Sequence, residues 1–342
     1  MSDTPIFWIV LTIAVSLAFD FMNGFHDAAN SIATIVSTRV LQPLVAVIWA
    51  AFFNFIAFLI FGPKVAETIS EIVKIEAGSS IFVFIVFFGV LGALFWNIFT
   101  WWLSLPTSSS HALIGGLAGA ALVYSGVQAL RLKKIFVIIA FIFISPILGF
   151  ILGVFFIILL YWMLQNLRPG ILNQSFRKGQ LISAALYSIG HGANDAQKTM
   201  GIIVAVLIAG GFFPTTIELS IKNKDTLWII LSCHIAISLG TLFGGWRIVK
   251  TMGMKITKLR PIGGFSAELA SALSLFIATV LGIPVSTTHT ITGAIIGVGS
   301  STTSFSRVKW GIATKIIWAW ILTIPGAGFV AALFFYFAKK FL

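Results

Sequence analysis

Charge is scarce in this chain. Asp, Glu, Lys and Arg make up 9% of its 342 residues, against roughly 25% in an ordinary soluble domain. With 58% hydrophobic residues and a mean hydropathy of +1.05, it has more apolar surface than a water-soluble core of this size could bury. That excludes a soluble enzyme and makes lipid the main solvent. Lipid leaves backbone N–H and C=O groups unsatisfied, so only helices or closed barrels can span. The alternating segments of a barrel strand are missing, and long runs such as 135–163 select helices.

Cysteine is nearly missing too. Cys233 stands alone in an apolar stretch, which excludes a disulfide framework or cysteine metal cluster and reads as a core residue. No basic residue precedes the first apolar run, so Met1 to Pro5 lack the flank of a cleaved signal peptide. The first helix is expected to stay in the mature protein. Acidic residues number 10 against 22 basic ones, a net charge of +12. The basic residues cluster between apolar runs, as in Arg247, Lys250, Lys255, Lys258 and Arg260, without interleaved aromatics. Membrane topology accounts for them, so lipid is an expected partner and nucleic acid is not.

What is present is a set of ten apolar segments, near 5–37, 43–62, 80–104, 107–125 and 135–165, then 180–208, 226–246, 262–283, 285–300 and 310–337. A basic connector, 166–179, separates two sets of five. Gly24-Phe25-His26-Asp27-Ala28 matches Gly192-Ala193-Asn194-Asp195-Ala196 at offset 168. Pro106-Thr107-Ser108-Ser109-Ser110-His111 matches Pro284-Val285-Ser286-Thr287-Thr288-His289 at offset 178. The chain therefore reads as a duplication, with repeats 1–165 and 180–342. Five crossings per half would turn the halves opposite ways, an arrangement typical of secondary transporters. Charge supports this with the N-terminus outside. The inside then holds Arg39, the connector, the 247–260 cluster, Arg307 and Lys309, and the outside holds Glu67, Glu71, Glu76, Glu218 and Asp225. Arg131, Lys133 and Lys134 are outer exceptions. The fold expected is all-α and polytopic, with broken or re-entrant helices at the midplane.

Ionisable residues in apolar runs are expensive and point to function. Here they are Asp20, His26, Asp27, His111, His191, Asp195, Lys198, His234, Glu268 and His289. Glycine beside Asn and Asp predicts a helix break in each first motif, freeing backbone groups for ions. Asp27 and Asp195 offer hard oxygens to a coupling cation, and Asn23, Asn30 and Asn194 add neutral ones. Packing carboxylates are the plainer alternative. In the second motif proline opens a helix, so its hydroxyls gather at an N-terminus that favours an anion. Ser108, Ser109, Ser110, Ser286, Thr287 and Thr288 are the expected donors to a tetrahedral oxyanion. Glycines just beyond allow close helix approach. His111 and His289 fit capping and proton transfer equally. Asp20, His26, His191, Lys198 and Glu268 complete the proton or charge-balance group. Lys198 occupies the place of Asn30, and Asp20 that of Ser188.

Together these motifs resemble the PiT inorganic phosphate transporter family along essentially the whole chain. His26, where the second half has Asn194, looks like the bacterial low-affinity members. The resemblance implies symport of inorganic phosphate with a proton or sodium, two inverted repeats, an inner-membrane location and a homodimer. It also implies divalent metal accompanying phosphate in the proton-coupled members. No bound cofactor or resident metal is expected. Another oxyanion such as sulfate is the alternative substrate. A membrane-embedded serine hydrolase, pairing a hydroxyl with His111 or His289, is the remote alternative, since duplicated elements are more than one nucleophile needs.

Overall fold

The computed structural model describes residues 5–74, 80–302 and 308–340. Glu76 and Arg307, used in the charge argument, lie outside the described residues. In order, the helices are α1 (Ile6–Ser37), α2 (Pro43–Ile56), α3 (Lys64–Ser70), α4 (Ser80–Trp102), α5 (Ser109–Ser125) and α6 (Leu132–Met163). The second half follows with α7 (Pro169–Ala209), α8 (Lys224–Phe243), α9 (Trp246–Lys250), α10 (Pro261–Val280), α11 (Thr287–Thr302) and α12 (Trp310–Ala338). Among the described residues, seven helices are long and apolar enough to cross a membrane, and α2 with α3 forms an apolar pair bent by 85°, the shape of a broken span or a re-entrant loop. The chain is an all-helical, multi-pass membrane protein. Each of the ten expected segments has its helix, and the short α3 and α9 are additions.

The break expected at Gly24 and Gly192 is absent. α1 and α7 run unbroken through both, for 32 and 41 residues. These glycines serve close packing instead. A Cβ on Gly24 would stand 2.0 Å from the Ile237 carbonyl oxygen of α8, and one on Gly192 2.4 Å from that of Asn54 in α2. Helices can therefore touch backbone to backbone there, and neighbouring amides such as Asn30 and Asn194 bond sideways to other parts of the fold.

The breaks fall in the hydroxyl elements. α4 and α10 both end in a Schellman turn, in which two amides fold back onto the last helical carbonyls. Leu105 N–H donates to Thr100 O at 3.0 Å and Ser104 N–H to Trp101 O at 2.9 Å. Ile283 N–H donates to Ala278 O at 2.8 Å and Gly282 N–H to Thr279 O at 3.1 Å. The left-handed residues are Ser104 (φ 60°) and Gly282 (φ 69°), at equivalent positions because 104 + 178 = 282. Short helices of the opposite half hold these turns. Lys64 and Thr68 of α3 donate to Val280 O and Gly282 O, at 3.1 and 2.7 Å. Arg247 of α9 donates to Trp102 O at 3.1 Å, and Thr251 just after it to Ser104 O at 3.4 Å.

Packing repeats in the same exchanged way. α5 lies on α12, and α11 on α6. A Cβ on Gly115 or Gly119 would meet the carbonyl of Ile324 or Gly328, at 2.4 and 2.0 Å. One on Gly293 or Gly297 would meet that of Pro146 or Phe150, at 2.1 and 2.4 Å. Adding 178 to 115, 119, 146 and 150 gives 293, 297, 324 and 328. Between these layers α1 and α7 pack together through the centre. One apolar cluster, with Ile9, Phe19, Ile69, Val90 and Met200, closes one end, and another, with Ile32, Ile35, Ile248, Ile256 and Ile262, closes the other. Of the three basic exceptions, Lys134 is paired with Glu71 at 3.0 Å.

The glycine contacts give a direct test. Gly293→Ala should lower the melting temperature of the purified protein, because a close-packed core answers overpacking with a loss of about 1–3 kcal/mol. Gly170→Ala, in the first turn of α7 with nothing within 4 Å of the added carbon, should leave it level or slightly higher. Equal behaviour of the two variants would contradict the backbone contact.

Candidate functional site

Every residue expected to carry chemistry in the sequence motifs, from Asp20 to His289, is at most 3% exposed. The two hydroxyl helices begin at the centre of the molecule. Ser108 caps α5 by accepting the His111 amide at 3.3 Å, and Ser286 accepts the His289 amide at 3.2 Å just before α11. Capping thus falls to serine and not to the imidazoles, whose rings meet edge to face at 4.7 Å. His289 also lies against Trp320 at 3.8 Å. No serine or threonine hydroxyl bonds either ring among the described residues, so the Ser–His dyad of the hydrolase alternative is not assembled.

Two carboxylates face these helix starts. Asp27 is paired with His26 at 2.8 Å. Asp195 is paired with Lys198 and lies 3.3 Å from His191 Nε2. The Thr287 hydroxyl lies between the carboxylates, 3.3 Å from Asp27 Oδ2 and 3.3 Å from Asp195 Oδ2. Thr288 is 3.5 Å from Asp27 Oδ2 and donates to Thr107 O at 3.1 Å. Ser110, its equivalent, donates to Val285 O at 3.3 Å. The Ser109 hydroxyl is buried without a partner.

The two halves meet through matched contacts. Asn30 Nδ2 donates across to Thr288 Oγ1 at 2.9 Å, and Lys198 Nζ, at the equivalent place, donates across to Ser110 Oγ at 2.5 Å. Lys198 also donates to Val285 O at 2.9 Å, so all three ammonium protons are used. Asn194 is committed to the hairpin of its own half: it donates to Thr279 and Ile283 O, both at 3.2 Å, and accepts the Val285 amide at 3.3 Å. His26 does the same in the first half, with Thr107 at 3.4 Å. Among the described residues, Asn23 and Asp20 share no hydrogen bond with this group and lie about one and two turns before Asp27 on α1.

Glu268 is held by three neutral donors, Thr34 at 2.6 Å, Gln180 at 2.9 Å and Ser183 at 2.5 Å. It ties α10 to α1 and α7 and touches no other charge among the described hydrogen bonds. One useful residue was missed. Asn54 of α2 accepts at its Oδ1 from His191 Nδ1 at 3.1 Å and donates to Thr241 Oγ1 at 3.0 Å. The signal was an amide inside an otherwise apolar run. Thr241 spends its own proton on Ile237 O at 2.9 Å, which fixes the Asn54 oxygen toward His191. The His191 Nδ1 then carries a proton, and its Nε2 faces Asp195. Asp27, His191 and Asp195 offer ligand atoms all within 4.8 Å of one another. Two oxygens and a nitrogen suit a divalent transition metal or zinc better than an alkali ion.

Comparison with known proteins places this geometry. Residues 23–173 and 167–331 match the model of the phosphate transporter family. A probable low-affinity inorganic phosphate transporter of Rhizobium meliloti (strain 1021) is 51% identical over 330 residues, covering 96% of each chain. One from Bacillus subtilis (strain 168) is 40% identical over 98% of each. A solved structure described as the sodium-dependent phosphate transporter superposes with a TM-score of 0.87, at 24% identity, over 98% of this chain and 100% of that one. The relatives are transporters and not enzymes. The chain belongs to the phosphate transporter family.

Proposed function

We propose that the protein is a secondary active symporter that imports inorganic phosphate across a bacterial inner membrane together with a cation. The observation that carries this reading is the Thr287 hydroxyl shared between Asp27 and Asp195. A hydroxyl has one proton to donate, and two buried carboxylates compete for it. A cation bound between the carboxylates releases that proton for an incoming anion. Phosphate then meets Thr287, the unpartnered Ser109 and two helix N-termini, whose amides and dipoles favour negative charge. Without the cation, phosphate would face two carboxylates in a site of low dielectric. Unloaded and fully loaded states are thereby favoured over partly loaded ones, which is what coupling requires.

The coupling ion is a proton or sodium. The similarly folded transporter is described as sodium-dependent, which makes sodium one arm of any test. Divalent metal entering as a phosphate complex is cargo for the Asp27, His191 and Asp195 group, and the closeness of its three ligand atoms supports it. The exchanged packing of α5 on α12 and α11 on α6 supports reading residues 1–165 and 180–342 as inverted repeats around a 166–179 cytoplasmic connector. Access would alternate between the two apolar clusters as one half rocks against the other.

Reconstitution into proteoliposomes tests the whole reading. Phosphate should accumulate above its external concentration under a proton or a sodium gradient, and excess sulfate should not compete. Uptake that only equilibrates would mean a passive pathway, and competition by sulfate a broader oxyanion carrier.

Thr287→Val and Ser109→Ala separate the two roles of the hydroxyls. Both should weaken phosphate binding, by the roughly 1.5–3 kcal/mol that a hydrogen bond to a charged group contributes. Thr287→Val should also tighten cation binding, because the carboxylates lose their shared donor, whereas Ser109→Ala should leave cation affinity alone. Calorimetry on purified protein measures both, and unchanged phosphate affinity in the pair would remove these hydroxyls from the site.

Sidedness is tested in a Cys233→Ala background with single cysteines at the exposed positions Thr215 and Lys258. An impermeant thiol reagent should label intact cells at 215 and not at 258. The reverse pattern would overturn the orientation.

A further inference from the structure

Asp20 is a buried carboxylate that the phosphate site does not use. It is 0% exposed, and neither of its oxygens is in a well-formed hydrogen bond. Two other buried oxygens share this condition, Asn23 Oδ1 and Thr199 Oγ1. The side chains of Asn23 and Thr199 both face Asp20. A carboxylate, an amide and a hydroxyl thus gather on α1 and α7, with the amide and hydroxyl turned toward the carboxylate but no well-formed hydrogen bond to either of its oxygens. Buried polar atoms are nearly always partnered, and an isolated ionised carboxylate costs far more to bury than an amide. A buried carboxylate left without a well-formed bond, beside an amide and a hydroxyl that each keep an unpartnered oxygen, suits a small positive ion better than a packing network.

The charges around Asp20 do not supply that ion. The ionisable groups that face it are Asp195 and Lys198 on α7 and Cys233 on α8. Lys198 spends its three donors on Asp195, Ser110 and Val285. The feature belongs to one half only. Its counterpart by the repeat, 20 + 168 = 188, is Ser188, which satisfies itself on Ala184 O at 2.8 Å.

We infer that Asp20, Asn23 and Thr199 form a second monocation site, for H+ or Na+, separate from the phosphate site. It lies seven residues before Asp27 on an unbroken helix, about 10 Å along the axis. This rests on the symport reading and extends it. One coupling charge travels at Asp20, on the side of the site closed by the cluster of Ile9 and Phe19, while Asp27 and Asp195 deal with whatever accompanies phosphate directly.

The test is coupling stoichiometry in proteoliposomes, read as the membrane potential at which net phosphate flux stops under imposed gradients. Asp20→Asn should move one positive charge fewer per phosphate than the parent. Loss of the sodium dependence assigns Na+ to the site, and loss of the proton dependence assigns H+. Thr199→Val, which keeps shape and removes one oxygen, should raise the sodium concentration for half-maximal uptake about tenfold, or shift its pH dependence by about one unit, as the loss of one bond to a charged group implies. If Asp20→Asn is not recovered folded, as judged by gel filtration, Thr199→Val decides alone. Unchanged stoichiometry in Asp20→Asn, or an unmoved half-maximal point in Thr199→Val, overturns the site while leaving phosphate symport standing. A parent that moves no phosphate under either gradient overturns the symport reading itself, and this site with it.

Discussion

Two carboxylates buried side by side set the terms for this fold. Asp27 and Asp195 present oxygens within 4.8 Å of each other, at most 2% exposed. Their mutual repulsion is on the order of 3 kcal/mol even at an effective dielectric constant near 20. Something positive has to stand beside each. Lys198 does so for Asp195, a hydrogen bond from His26 serves Asp27, and the starts of α5 and α11 add the partial charge of unsatisfied amides. For two helix starts to reach the middle of a membrane protein, α4 and α10 must turn inward and hand over to them. The paired Schellman turns do this. The clasps from α3 and α9 and the glycine contacts of α5 on α12 and α11 on α6 are what hold the turned chains in place.

The matched contacts of the two halves are alike in kind and unequal in charge. At the place where the first half reaches across with the neutral amide of Asn30, the second reaches across with the ammonium of Lys198. Both end on a hydroxyl of the other half's hairpin, Thr288 or Ser110. One carboxylate therefore has a cation built into the chain, and the other depends on an imidazole and on what arrives from solution. A symmetric site would treat its two faces alike. This one carries a fixed charge on α7 and, on α1, a carboxylate, Asp20, whose repeat counterpart is Ser188, so in the proposed symport the two halves would contribute unequally to ion binding.

Much of this was legible in the sequence because membrane burial makes polar residues rare. Asp and Ser/Thr elements that recur in the same order, at offsets of 168 and 178, pointed to a duplication, and long apolar runs located the ten main helices. The misreading at Gly24 and Gly192 came from treating glycine and asparagine as local helix breakers. In lipid the intrahelical bonds are kept, and a missing Cβ is used by the neighbouring helix instead. α3 and α9 escaped notice because five to seven residues carry too little periodicity to register. The cross-half contacts were illegible for a different reason: no spacing along the chain tells that Lys198 bonds Ser110 rather than a residue of its own half. Asn54 shows the limit in one residue. Its presence in an apolar run was visible, and its role in fixing the His191 tautomer depends on Thr241, 187 positions away.

Occlusion follows from the same arrangement. α1 and α7 pass as continuous rods through one apolar cluster, the charged centre and the other cluster. Bending them would break intrahelical hydrogen bonds that lipid cannot replace. A path to the centre is thus more cheaply made by parting a hairpin from the rods than by unwinding either rod. On one side that means releasing the α10 turn from Lys64 and Thr68, and on the other the α4 turn from Arg247 and Thr251. Each clasp joins opposite halves, so movement of one half strains both. The shared Thr287 proton and the crossed bonds of Asn30 and Lys198 lie between the clasps. A change of charge at Asp27 or Asp195 would therefore act on the contacts that bind the two halves, which is the physical link that the proposed symport requires between loading and opening.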